Sequence, residues 1–280
     1  MPPRSYPTAR QKRLGAELRK MRERAGLSGA DIARFLGGER ATASHIESGR
    51  YGVSAERVRH LAAHCSATDK RLVNALAAMA EERGKGWWEE YRGRLSPGFL
   101  DLAELEHHAL YMRAIDMLYV PGLLQTPAYA KELILGRVSR LPEVEIRVEH
   151  RMRRREIFDR PQPPEFQALI HEAALRMRYC RPETMREQLD FLIDASSWPG
   201  VSIQVVPFSR QITGSVHSML YAGAAIPQLD TVQIDSAFDG EFLDAEPYLV
   251  KYRALWDSVE EISLDADESR KFIHRIAQEM

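Results

Sequence analysis

Apolar side chains recur at helical spacing through the first eighty positions of the chain. Leu14, Leu18 and Met21 share one stripe of segment 10–25, and arginines and lysines cover its other faces. This pattern predicts an amphipathic helix. Gly26 is its expected stop, because glycine accepts the left-handed backbone that closes a helix. Ser28 then offers an N-cap to a helix over 29–36, which Gly37-Gly38 ends. A third helix is expected over 40–48, closed by Gly49, and two more over 54–64 and 68–82. Ser54 caps the fourth and Glu56 lies in its first turn, where a negative charge suits the helix dipole. Residues 1–9, with three prolines, read as a loose arm.

The pattern breaks at 83–99, where four glycines and a proline interrupt it. Beyond lies a segment read as helix over 100–118, then a turn at Pro121-Gly122. Thr126-Pro127 joins an N-cap to a proline at the first helical position, starting a helix that runs to about Gly136. Another helix is expected over 142–158, with glutamates early and arginines late. After the PQPP loop, β-branched and alternating stretches predict strands over 166–170, 201–208, 217–222 and 231–235. Helices are expected over 182–195, 246–262 and 266–279. The fold class is therefore mainly α in two domains. An N-terminal five-helix helix-turn-helix domain spans 1–82, a connector spans 83–99, and a C-terminal α+β domain with a small sheet spans 100–280.

A net charge of -1 hides an asymmetry. Residues 1–66 hold 13 Lys/Arg against 6 Asp/Glu, and the remainder holds 26 against 34. A basic segment that coincides with a helix-turn-helix pattern points to a polyanionic partner, duplex DNA. Two cysteines, Cys65 and Cys180, have no ligand or redox spacing and read as free thiols in a reducing cytoplasm. No apolar run approaches the ~20 residues that span a bilayer, and no apolar secretory core follows the basic start.

Within 27–50 the helix-turn-helix requirements are met one by one. Ala33 allows close helix approach, Gly37-Gly38 supplies the turn, and Ile32, Leu36 and Ile46 lock the pair. Residues at the start of the second helix then point toward the major groove. The segment resembles the phage-repressor-type helix-turn-helix family. Leu27, Ser28, Ile32, Ala33, Leu36, Gly37, Ser44, Ile46, Glu47, Gly49 and Arg50 fall on its pattern. The resemblance implies that Arg40, Ala41 and His45 face bases and that Thr42, Ser44 and Arg50 meet phosphates, with Ser28 completing the DNA-facing set. It also implies that Glu47 pairs with Arg22 inside the domain. Gly29 stands where the family has glutamine, Gly38 and Glu39 replace a valine and a serine, and Ala43 replaces a larger apolar residue. Glu39 repels phosphate unless it accepts from a cytosine amino group.

LYVPGLLQTPAYA at 118–130 resembles a signature of an actinobacterial regulator family with a shared C-terminal domain. GWWEEY (86–91), LEHHA (105–109), HRMRRREIF (150–158), HEAALR (171–176), REQLDFL (186–192), VSIQVVPF (201–208) and ESRKFI (268–273) follow in register. The resemblance implies an antitoxin-like transcriptional regulator of development or antibiotic production, partnered by a small acidic protein. It leaves open whether the C-terminal domain binds that partner, dimerises, or both.

Other clusters have ordinary readings. Adjacent His107 and His108 point to different helix faces. His171-Glu172 lacks the second histidine of a zinc protease, since position 175 is Leu. Asp230, Asp235, Asp239, Glu241, Asp244 and Glu246 lack the calcium-loop pattern. Arg151, Arg153, Arg154 and Arg155 read as the charged face and C-terminal end of one helix, with contact to phosphate as the alternative. No nucleotide-binding or hydrolase fingerprint is present, so no catalytic residue, metal or cofactor is expected. The reading is a cytoplasmic, homodimeric, sequence-specific DNA-binding regulator. Its alternatives are an antitoxin-like interaction module that binds DNA weakly and a repressor sensing a small-molecule effector.

Overall fold

Side-chain caps set where the first helices begin. The computed structural model describes residues 4, 6–37, 39–82, 84, 86–138, 140–235 and 240–280, and at Arg40 the backbone only. Helix α1, Ala9–Arg24, starts at Thr8, whose hydroxyl accepts from the Gln11 N–H while the Gln11 side chain accepts from the Thr8 N–H. Ser28 and Asp31 make the same reciprocal cap for α2, Gly29–Phe35. Helix α3 is Arg40–Glu47, α4 is Ala55–His64 behind Ser54, and α5 is Lys70–Glu81 behind Asp69. Gly26, Gly37 and Gly49 adopt φ of +70°, +66° and +74°, the left-handed stops that close α1, α2 and α3. Leu18, Met21, Ile32, Ala33, Ile46, Val58, Leu61 and Leu76 are the buried core of these helices. Leu14 is only half-buried, and Gly15 lies on the buried side of α1 instead.

The chain divides into two units, Met1–Glu104 and Leu105–Met280. Segment 83–99, expected as a connector, falls in the first unit, with Trp88 and Tyr91 of a 3-10 turn, Trp87–Tyr91, buried. Helix α6, Pro97–His108, runs through the division.

The second unit contains β1 Tyr111–Asp116, α7 Pro127–Leu135, α8 Leu141–Arg155, β2 Glu165–His171, α9 Glu172–Arg176, α10 Pro182–Ala195 and β3 Val201–Val206. It continues with β4 Met219–Gly223, β5 Thr231–Asp235, β6 Gly240–Leu243, α11 Glu246–Ile262 and α12 Ala266–Gln278. The strands form one sheet in the order β3-β2-β1-β4-β5-β6. β1, β2 and β3 are parallel, while β4, β5 and β6 follow as an antiparallel meander. Ile115, Leu169, Val206, Met219, Tyr221 and Val232 of one face pack with Leu249, Tyr252, Trp256 and Val259 of α11. Each such burial removes a large apolar side chain from water, worth roughly 1.5–3 kcal/mol. Helices α7 and α8 carry the chain from β1 to β2, and α9 and α10 carry it from β2 to β3.

Two expectations are corrected. The helix read over 100–118 ends at His108, and residues 111–116 are a strand paired on both sides. Met112 and Ala114 suit a helix by propensity, but ladder pairing with β2 and β4 outweighs that weak preference. Strand β6 was not anticipated, because GEFL is short and only partly buried. The fold remains mainly helical, with an N-terminal helical helix-turn-helix region and a C-terminal α+β part built on a six-stranded sheet. Among the described residues no helix is long and apolar enough to cross a membrane. Both cysteines are free, Cys65 buried and Cys180 half-buried.

Candidate nucleic-acid interface

Helix α3 is held by its apolar side and offers its polar side outward. Ala43 and Ile46 are 1% and 4% exposed, while Ala41, Ser44 and Ser48 are exposed and Thr42 and His45 half-buried. Positions 41, 44, 45 and 48 follow the spacing of one helical face. That face is short and carries small or polar side chains. Arg40 opens the helix, but its side chain lies outside the described residues, as does Gly38 of the turn. Glu39 precedes the helix, exposed, with no side-chain cap hydrogen bond to it. The first-turn N–H groups therefore lack the side-chain acceptor a serine would have supplied.

The far end of α3 is fixed on α1. Arg22 donates from Nε to Glu47 Oε1 at 2.6 Å and from Nη2 to Glu47 Oε2 at 3.0 Å. Its Nη1 donates to the Leu27 carbonyl at 2.8 Å. The bonds to Glu47 raise the Arg22 pKa against the cost of burial. Gly15 makes the close approach possible: a Cβ there would lie 2.5 Å from the Glu47 carbonyl oxygen and 2.6 Å from that of Ile46. Gly49 repeats the device, since a Cβ would meet the Gln11 carbonyl oxygen at 2.7 Å. At the other end, the Ser28 hydroxyl is engaged with Asp31, and those bonds hold the Asp31 carboxyl below its usual range. Ser28 remains exposed.

Three residues that shape the candidate face are not singled out by the sequence reading. Gly15 is one; a glycine inside an otherwise good helix-forming segment was its signal. Tyr51 is another: its ring sits 4.8 Å from that of His45, and its N–H donates to the His45 carbonyl at 2.9 Å. It therefore packs beside the His45 ring at the end of α3. The third is Arg4. Read as part of a loose arm, it donates from its backbone to the Arg50 carbonyl at 2.9 Å and from Nη1 to the Gly49 carbonyl at 3.1 Å. Arg50 itself is exposed and has no carboxylate partner among the described residues. Much of the basic charge of α1 is already answered internally: Arg10 by Glu82, Arg13 by Glu17, Arg19 by Glu23 and Arg22 by Glu47. Arg50 is thus a better candidate for phosphate than most of the arginines on α1.

In the second unit, His107 and His108 lie edge to face and His107 Nδ1 contacts Arg160. His171 caps α9 through Nδ1, accepting from the Ala173 N–H at 3.2 Å. Asp230 is buried, accepting from Tyr221, Tyr111 and the Ala224 N–H, while Asp239 lies outside the described residues. Arg154 pairs with Glu106, and Arg155 lies over Phe191. Among the described residues no three His, Cys, Asp or Glu side chains converge as a metal site requires.

A capped helix, a left-handed turn and a second helix with an outward polar face define a DNA-binding regulator of the helix-turn-helix class. Residues 13–83 match the family described as a helix-turn-helix domain. Residues 99–275 match the family described as a domain of unknown function, DUF5753, and the chain belongs to that family. No curated protein and no solved structure matches the chain.

Proposed function

We propose that this protein is a sequence-specific transcriptional regulator that reads duplex DNA through α3. It acts as a cytoplasmic homodimer, and its α+β unit governs the binding by engaging a small acidic partner protein. The observation that carries the reading is the outward face of α3, where Ala41, Ser44 and Ser48 are exposed beside His45 and above a clamped helix end. Arg40 and His45 are assigned to bases, and Thr42, Ser44 and Arg50 to phosphates. A unit of this size covers one half-site, so a dimer places two α3 helices about one helical turn apart.

Exposed large apolar side chains on the second unit support a protein partner: Leu110, Leu118, Leu141, Phe208, Tyr248 and Val250. The family resemblance supports a role in development or secondary metabolism. No catalysis is assigned to the chain. The test is selection of bound duplexes from a random pool at moderate salt. An enriched two-half-site sequence supports the reading. Capture of a partner without enrichment favours the antitoxin-like alternative.

A further inference from the structure

The strand order β3-β2-β1-β4-β5-β6 contains a reversal. From β1 the chain steps outward to β2 and β3, both parallel, and then returns to the other side of β1 as β4. The carboxyl ends of β1, β2 and β3 share the sheet edge at which open parallel sheets place ligands, and antiparallel β4 starts beside the end of β1 there. Here that position is Asp116, the last residue of β1. Continuing the pairings Ile115↔Met219 and Leu220↔Gln233 sets Asp116, Ser218 and Asp235 side by side on the lines of β1, β4 and β5. The Met117 N–H donates to Ser218 Oγ at 3.1 Å, closing the row. Helix α8 brings Arg151 within electrostatic reach of both Asp116 and Asp235.

Asp116 and Arg151 lie where burial dominates their electrostatics, yet both are only half-buried, and Asp235 beside them is exposed. That combination describes side chains at the floor of a recess. Arg151 has no carboxylate within ion-pair distance among the described residues. Its hydrogen bond runs from Nη1 to the neutral Gln125 Oε1 at 2.6 Å, and Gln125 is itself fixed by donating to the Val120 carbonyl at 2.7 Å. Neighbouring Arg154 differs, because Glu106 answers its charge. Asp235 and Glu106 answer the Arg151 charge only from beyond ion-pair distance, and an anionic ligand in direct contact offsets the cost of holding the guanidinium away from water. Burial, with Asp235 nearby, pushes the Asp116 carboxyl well above the usual carboxylate range. A neutral carboxyl donates a hydrogen bond to an anion instead of repelling it. Arg137, over the Tyr119 ring at 5.1 Å, adds a second cation within reach of Arg151.

We propose that this recess is a small-molecule site in which Arg151 grips a carboxylate or phosphate group, Asp116, held by its hydrogen bond with Ser218, binds the same group, and Asp235 accepts from a hydroxyl or amino donor on the ligand. The ligand class is thus a small oxyanion-bearing metabolite with a hydrogen-bond donor. All four residues belong to the second unit, so the site does not depend on how α3 reads DNA.

The test is calorimetric titration and thermal unfolding of the full-length protein at fixed ionic strength. The probes are inorganic phosphate, glucose 6-phosphate and malate, which separate phosphate from carboxylate recognition. Saturable binding of at least one probe is expected. Arg151→Gln is expected to weaken it about tenfold or more. Asp116→Asn, which keeps a neutral donor, is expected to leave affinity within about threefold, and Asp116→Leu is expected to lose it. If Arg151→Gln does not fold, Arg151→Lys keeps the charge without the fork and shows the same fall. Absence of saturable binding by all three probes, or equal binding by the Arg151 variants, overturns the proposal.

Discussion

Arg22 of α1 and Glu47 of α3 are joined by two hydrogen bonds, at 2.6 and 3.0 Å, and the same guanidinium also holds the Leu27 carbonyl just before α2. One side chain therefore ties together the three segments whose relative placement aims α3. Both partners are about one-seventh exposed, 13% and 14%, so solvent only partly screens them. Glu47→Gln is expected to destabilise the first unit by about 1.5–3 kcal/mol, the range for hydrogen bonds to charged groups. A double-mutant cycle with Arg22→Met measures it. Additive losses would mean that the pair is not coupled.

Gly15→Ala is expected to cost about 1–3 kcal/mol, because its Cβ would press on backbone carbonyls that cannot turn aside. DNA affinity is expected to fall as well, since the strain lies under the end of α3. Gly29→Ala is the contrasting change: its Cβ meets nothing within 4 Å and its φ is not positive. It is expected to be neutral or to stabilise by about 0.4–1 kcal/mol. Denaturant unfolding of the two variants distinguishes them.

Arg50→Gln is expected to weaken binding to all duplexes alike and to lower the salt slope by about 0.9, the value for one phosphate contact. Arg40→Ala is expected to act otherwise, relaxing preference at one base pair by about 1–3 kcal/mol. Anisotropy titrations over a salt series, on selected and scrambled duplexes, separate the two effects. An equal loss on both duplexes for Arg40→Ala contradicts its assignment to a base.

Glu104 gives the first unit a pH signature. Its Oε2 is buried without a hydrogen-bond partner among the described residues, and burial pushes the carboxyl from 4.5 to about 7, against the pull of a hydrogen bond with Thr8. The folded state therefore holds a proton more tightly than the unfolded chain. The stability this contributes is complete below pH 4.5 and is lost as pH rises through 7. Glu104→Gln removes the titration. Its stability relative to wild type is expected to rise with pH across this window, by at most about 1.4 kcal/mol per unit, and to level off above it. A flat difference between pH 4.5 and 7 contradicts the buried-carboxyl account.

Where the sequence carried local rules, the fold was readable. Ser28, Ser54 and Thr126 cap the helices they were expected to cap, and α11 occupies the 246–262 span read from Leu249, Tyr252, Trp256 and Val259. What was missed depends on distant partners. Residues 111–116 carry no strong strand signal, and their ladder is with residues 165–170 and 219–223. Gly15 shows its purpose only against the carbonyls of Ile46 and Glu47, and Arg4 only against the turn after α3. The candidate DNA face was readable because the helix-turn-helix compresses its rules into 24 residues, whereas the Asp116 recess is assembled from four separate stretches of chain.

The most direct test of the central claim attaches a DNA-cleaving iron chelate to α3. Ser44→Cys in a Cys180→Ser background places the reagent on the exposed helix face, Cys65 being buried. On a duplex selected by the full-length protein, cleavage is expected in two clusters about 10 base pairs apart, facing the major groove. Cleavage spread evenly along the duplex, or none above that of the same reagent on scrambled DNA, would contradict the reading of α3 as the recognition helix.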